Sequence, residues 1–175
     1  MNRSFADVVR AVVVLAAGVL VLAWAAGLFR EDTVVEPEPV DYLAVAAQAR
    51  PEAGFALARP AELPAGWRAT SARWAPGDRL WHLGMLTADE EYIEVEQSDD
   101  PAVVAAANEA NPTPAGSVDV EGTPWRRLVD EETGEVSLVY RSADSTTLVT
   151  GTAPHATLNS FAATLPEGAA SPAGQ

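Results

Sequence analysis

The chain has 175 residues, no cysteine and a formal net charge of −14, from 25 acidic and 11 basic residues. The missing thiols exclude disulfides, thiolate metal sites and cysteine nucleophiles, and the negative charge excludes nucleic acid and anionic headgroups as partners. The length and the 21% of charged residues suit one globular domain plus a separate apolar segment.

Residues 1–10 read as a short tail carrying Arg3, Asp7 and Arg10. Residues 11–29 contain no charge and lie between Arg10 and Arg30. As a helix they measure about 28 Å, close to the roughly 30 Å hydrocarbon core of a bilayer. This predicts one transmembrane helix in contact with lipid. Two of the three flanking arginines precede it, so the tail is expected in the cytoplasm and the main domain outside. The competing reading is a signal peptide cleaved near Ala25, because Ala23-Trp24-Ala25 has the small-x-small form of a cleavage site. The apolar run continues through Phe29 and favours retention as an anchor. Residues 30–40, with Pro37 and Pro39 among four acids, read as an extended linker.

Residues 41–166 read as the outer domain. Asp41 is an expected N-cap for a helix over 42–49 that Pro51 stops. Residues 55–57 read as a short extended piece, and Leu63-Pro64-Ala65-Gly66 as a turn. Strands are expected over 67–74, 80–86 and 91–97. The third alternates most cleanly, with Ile93 and Val95 on one face and Tyr92, Glu94 and Glu96 on the other. Asp100 and Pro101 open a helix through Asn108. Four more strands follow over 117–120, 124–129, 136–141 and 146–150, with hairpin loops at 130–135 and 143–145. A last helix covers 155–165, and 167–175 reads as a disordered tail. Short strands joined by tight turns predict an α+β fold: an antiparallel sheet of six to seven strands packed by two or three helices.

On Leu63-Pro64-Ala65-Gly66-Trp67 with Arg73-Trp74, and on Trp81-His82-Leu83-Gly84 with Glu94, Gln97 and Ser98, the chain resembles an actinobacterial family described only as a domain of unknown function. Gly122, Trp125 and Gly151-Thr152-Ala153 add to it. The resemblance implies an amino-terminal span and one outer domain, and it implies no activity. All 11 basic residues are arginine, which fits the G+C-rich genome of a bacterium.

The candidate binding residues are Trp67, Trp74, Trp81 and Trp125 with His82, Glu94 and Glu96. Exposed tryptophans would stack on sugar rings of a wall polymer, whereas buried ones would fill the core, and core or helix-packing roles are favoured. Trp67 and Trp74 are seven residues apart and point to opposite faces of a regular strand unless a bulge intervenes. Glu94 and Glu96 present two carboxylates on one face, but no Asp-x-Asp-x-Asp-Gly loop accompanies them, so a solvated strand face is favoured over a Ca²⁺ site. His82 is expected to hydrogen-bond across the sheet. The two histidines lie in different elements and make a poor zinc site, and no Gly-x-Ser-x-Gly elbow supplies a nucleophile. The reading is therefore a single-pass protein of the bacterial cell membrane with no cofactor, metal or catalytic residue. Its outer domain is expected to bind an envelope protein or wall component without catalysis. The alternatives are a wall-polymer-acting enzyme using Glu94, Glu96 and His82, and a carrier of a lipid or other hydrophobic ligand.

Overall fold

The computed structural model describes residues 39–108 and 112–165. The span expected at 11–29, its tail at 1–10, nearly all of the linker and the tail at 167–175 lie outside the described residues. Among the described residues no helix is long and apolar enough to cross a membrane.

The chain runs α1 (Tyr42–Ala53), β1 (Arg68–Ala75), β2 (Leu80–Leu86), β3 (Tyr92–Ser98), α2 (Pro101–Ala107), β4 (Thr113–Val120), β5 (Thr123–Val129), β6 (Val136–Arg141), β7 (Thr146–Gly151) and α3 (His155–Ala162). All seven strands form one antiparallel sheet in the order β1-β2-β3-β7-β6-β5-β4. Two meanders, β1 to β3 and β4 to β7, thus meet along the β3–β7 seam. Among the described residues the fold is α+β, with seven strands and three helices.

One face of the sheet carries the core. Trp81, Leu83 and Met85 on β2 and Ile93 and Val95 on β3 are all fully buried. The buried side chains of α1 and α3, including Ala46, Ala53, Leu158 and Phe161, belong to the same cluster. Burial of apolar area on this scale is the main drive to fold.

Helix α1 starts as expected, with the Asp41 carboxylate accepting from the Ala44 amide at 3.0 Å. It does not stop at Pro51 but runs on to Ala53 and ends at Gly54, whose φ is 75°. A proline in the last turn removes one intrahelical hydrogen bond, while a glycine in the left-handed region is what a helix end requires. The carbonyl of Ala53, at the helix end, accepts from the Arg79 guanidinium at 2.7 Å, and the same guanidinium donates to Asp99 at 2.6 Å.

The piece expected to be extended at 55–57 is not a strand. It is clamped by side chains instead: Gln97 accepts from the Ala58 amide at 2.7 Å and donates to the Ala56 carbonyl at 3.0 Å. Trp81 Nε1 donates to the Ala58 carbonyl at 3.0 Å. Backbone groups that must leave water are satisfied here without a ladder. Strand β4 is longer than its expected 117–120 because it begins at Thr113 and carries a register shift between Pro114 and Ser117. Helix α3 ends three residues before its expected limit, at Ala162.

A second irregularity decides the faces of β1. The register shifts between Ala69 and Ser71, so Trp74 pairs with Trp81 on the core side while Ser71 and Arg73 turn to the other side. This β-bulge allows Trp67 and Trp74 to pack on one core despite their odd spacing.

Candidate functional site

The other face of the sheet is built from the alternate residues of the same strands. His82 lies opposite Glu96, and Gly84 opposite Glu94, along the β2–β3 ladder. Ser71 lies opposite Gly84, and Arg73 opposite His82, along β1–β2. Helix α2, capped by the Asp100 carboxylate on the Ala102 amide, packs against β3 and β7 and walls one side of this face. Its Val104 is buried there, as is Leu148 of β7, and neither belongs to the main core cluster. The result is a cleft of about 500 Å³ lined by Arg73, His82, Tyr92, Glu94, Glu96 and Asn108, among others.

The floor of the cleft is a hydrogen-bonded chain. Glu96 Oε1 lies 2.6 Å from His82 Nδ1, and His82 Nε2 lies 2.8 Å from Ser71 Oγ. The Tyr92 hydroxyl donates to Glu94 Oε2 at 3.1 Å. Burial, and next the Glu94 carboxylate, pushes the Tyr92 phenol up to about 12, and a hydrogen bond from Ser71 acts the other way. Gly84 makes room for this arrangement. A Cβ there would stand 2.5 Å from Ser71 Oγ and 2.7 Å from the Tyr92 hydroxyl, both too close.

His82 is 5% exposed and Glu96 4% exposed. A buried ionisable pair costs desolvation that only good geometry and further hydrogen bonds offset. The pair is well formed, yet Glu96 Oε2 is buried with no hydrogen-bond partner. Glu94 is half-buried beside it, two residues along the strand and on the same face. The ligating atoms of His82, Glu94 and Glu96 all lie within 4.8 Å of one another.

Of the seven residues singled out in the sequence, the fold brings together His82, Glu94 and Glu96. The four tryptophans are elsewhere. Trp81 is fully buried and Trp125 is 5% exposed. Trp67 stacks on Phe161 with centroids 5.8 Å apart, and Trp74 meets Phe55 edge-on at 6.0 Å. Trp125 packs on Tyr140 and lines a separate cavity of about 180 Å³. None of the four presents an open sugar-stacking face in the acidic cleft.

Sequence reasoning missed Ser71, because the bulge reverses its side relative to a regular strand. Tyr92 was legible from its alternation with Ile93. The order Ser71–His82–Glu96 matches the bonding order of a serine hydrolase relay. Ser71, however, sits within an edge strand against Gly84 and Tyr92 and is not among the residues lining the cleft. The Ser71 hydroxyl fixes the orientation of the imidazole.

No curated protein and no solved structure matches the chain. A family model described as "Protein of unknown function (DUF4245)" matches residues 1–165, nearly the whole sequence, and the chain belongs to that family.

Proposed function

We propose that this protein is a single-pass, extracytoplasmic binding module of the bacterial cell envelope, without catalytic activity, whose acidic cleft takes up a cation or the cationic group of an envelope component. The uncharged run at 11–29 and its arginine flanks support the anchor and its direction. The observation that carries the site is Glu96: a carboxylate held at 4% exposure, paired through one oxygen and unpartnered at the other, on the floor of an accessible cleft. A buried carboxylate oxygen left without a partner is costly to keep, and that cost calls for a functional explanation.

The enzyme reading draws on the Ser71–His82–Glu96 chain. Against it, Ser71 is withdrawn from the cleft, and Glu94 and Glu96 rise from one strand, so they would approach a sugar from the same side instead of flanking its bond. A lipid carrier needs an apolar cavity of several hundred Å³. The cavity beside Trp125 has about 180 Å³, and the larger groove of about 850 Å³ along α1 carries Arg50, Arg59 and Asp144.

The test is site-specific photocrosslinking in intact cells. A crosslinker replacing exposed Arg73 at the cleft rim should capture an envelope component. One replacing Leu43, 40% exposed on α1, should not. Equal capture from both positions, or none from Arg73, overturns the binding reading. A protease added outside intact cells should degrade the domain, and full protection would overturn the topology.

A further inference from the structure

We infer that His82, Glu94 and Glu96 form a binding site for one divalent transition-metal ion, with Zn²⁺ the best match, held at the floor of the cleft. The inference deepens the cation-binding reading above and rests on it.

Two independent observations point to the ion. The first is the cluster itself: one imidazole and two carboxylates from adjacent strands, with ligating atoms within 4.8 Å of one another. The register delivers it, because Glu94 and Glu96 share a face of β3 and His82 stands directly across from Glu96. The second is the buried, unpartnered Glu96 Oε2. An anionic oxygen shut away from solvent needs a donor or a cation. Its neighbour on the strand face is another carboxylate, which repels it, so a cation between the two offsets that repulsion and gives Glu96 Oε2 a partner.

The donor set selects the kind of ion. Ca²⁺ takes six to eight oxygens, and two carboxylates with one nitrogen fall well short. Mg²⁺ prefers oxygen and keeps its waters. A mixed nitrogen and oxygen set of three suits Zn²⁺, which binds imidazole and carboxylate at about 2.0–2.2 Å and leaves a fourth position open. Tetrahedral ligands at those lengths stand about 3.4 Å apart, so side-chain rotations bring the three groups into place. Binding would replace the hydrogen bond between His82 Nδ1 and Glu96 Oε1 with bonds from both to the ion, and the proton of that hydrogen bond would leave to solvent. That fourth position would face the cleft, where a water or a group of the envelope component completes the coordination.

The residues around the ligands are already arranged for this. Metal-bound histidines are held through the other ring nitrogen, and metal-bound carboxylates are themselves hydrogen-bonded. Here Ser71 holds His82 Nε2 at 2.8 Å, and Tyr92 holds Glu94 at 3.1 Å. Gly84 is the small residue that lets both hydroxyls reach their partners. Of the other charged residues lining the cleft, Arg73 and Glu135 are exposed and not part of the ligand cluster.

The experiment is calorimetric titration of the full chain in detergent with Zn²⁺ after chelator treatment, repeated with Mn²⁺, Ca²⁺ and Mg²⁺. One Zn²⁺ per chain is expected, with Ca²⁺ and Mg²⁺ weaker. Glu94→Gln and His82→Gln should each weaken Zn²⁺ by tenfold or more. Ser71→Ala, which removes no ligand, should weaken it about tenfold through loss of ring orientation. Glu62→Gln, an exposed acid outside the cleft, should leave it unchanged. Glu94 is half-buried and its glutamine variant nearly isosteric, so this variant keeps the test open if His82→Gln fails to fold. Absence of saturable Zn²⁺ binding, wild-type affinity in Glu94→Gln, or a preference for Ca²⁺ would each overturn the site. Failure of Zn²⁺ with successful crosslinking from Arg73 removes the metal and leaves the cleft as a binding site for an organic cation. Zn²⁺ binding without any crosslink removes the envelope partner and leaves the metal.

Discussion

The two faces of β2 and β3 are made from alternate residues of the same short sequences, yet they are held by different forces. On one side Trp81, Leu83, Met85, Ile93 and Val95 are fully buried among apolar neighbours. On the other side His82 and Glu96 are nearly as buried but depend on one another, and Ser71, Gly84, Tyr92 and Glu94 complete the set. Apolar burial is non-directional, so the first face tolerates exchange among side chains of similar volume. Polar burial is directional, and each atom must find a partner. Most apolar burial therefore lies on the α1 and α3 side, while the polar network under α2 carries a cost that stability does not explain.

The largest break of this contrast is expected from Trp81→Ala. It removes the biggest fully buried side chain and its hydrogen bond to Ala58, and should cost about 3–5 kcal/mol in equilibrium denaturation. Metal or ligand affinity should survive in whatever fraction remains folded.

Removing half of the buried pair comes next. Glu96→Ala strands the imidazole and should cost about 3 kcal/mol. The double variant His82→Leu/Glu96→Leu should be no less stable than the parent, because two apolar residues of similar volume need no partner. It should bind no Zn²⁺. A double variant as unstable as Glu96→Ala would show that the pair is structural, and the contrast between the faces would fail.

Gly84→Ala probes the polar face without touching a ligand. Its methyl group would press on Ser71 and Tyr92, and a cost of about 1–3 kcal/mol is expected with weakened Zn²⁺ binding. Wild-type stability and affinity would show that the close approach is not needed.

The smallest effect is set by pH. The folded Tyr92 phenol titrates near 12, above its ordinary value of 10. The folded state therefore holds this proton more tightly than the unfolded chain. That contribution is complete below about pH 10 and is lost as pH rises towards 12. Phenolate absorbance should show a late-titrating tyrosine that disappears in Tyr92→Phe, and this variant should lose stability less steeply over that window. An unchanged titration curve would place Tyr92 outside the buried network.

Much of this was readable from the residues. Period-two alternation over the expected strand at 91–97 already placed Tyr92, Glu94 and Glu96 together, and the expected bounds of β2 and β6 are those observed. His82 does hydrogen-bond across the sheet, to both neighbouring strands. The acidic loop after β5 closes as a turn, with Asp130 accepting from the Glu132 and Thr133 amides and Gly134 in the left-handed region. Ser71 was hidden because one extra residue in a bulge inverts every side chain beyond it. Pro51 misled because the helix end is set by Gly54 and by the Arg79 cap, which comes from 26 residues away.

By itself, then, the sequence determined the local elements, their order and the split of each strand into an apolar and a polar edge. Those features follow from backbone periodicity and turn chemistry, which act over a few residues. The tertiary structure alone decided that β3 pairs with β7, that the tryptophans serve the core, and that Ser71 joins His82, Glu94 and Glu96 in one cleft. Pairings between distant segments depend on how whole faces pack, and no local pattern encodes which buried oxygen is left without a partner.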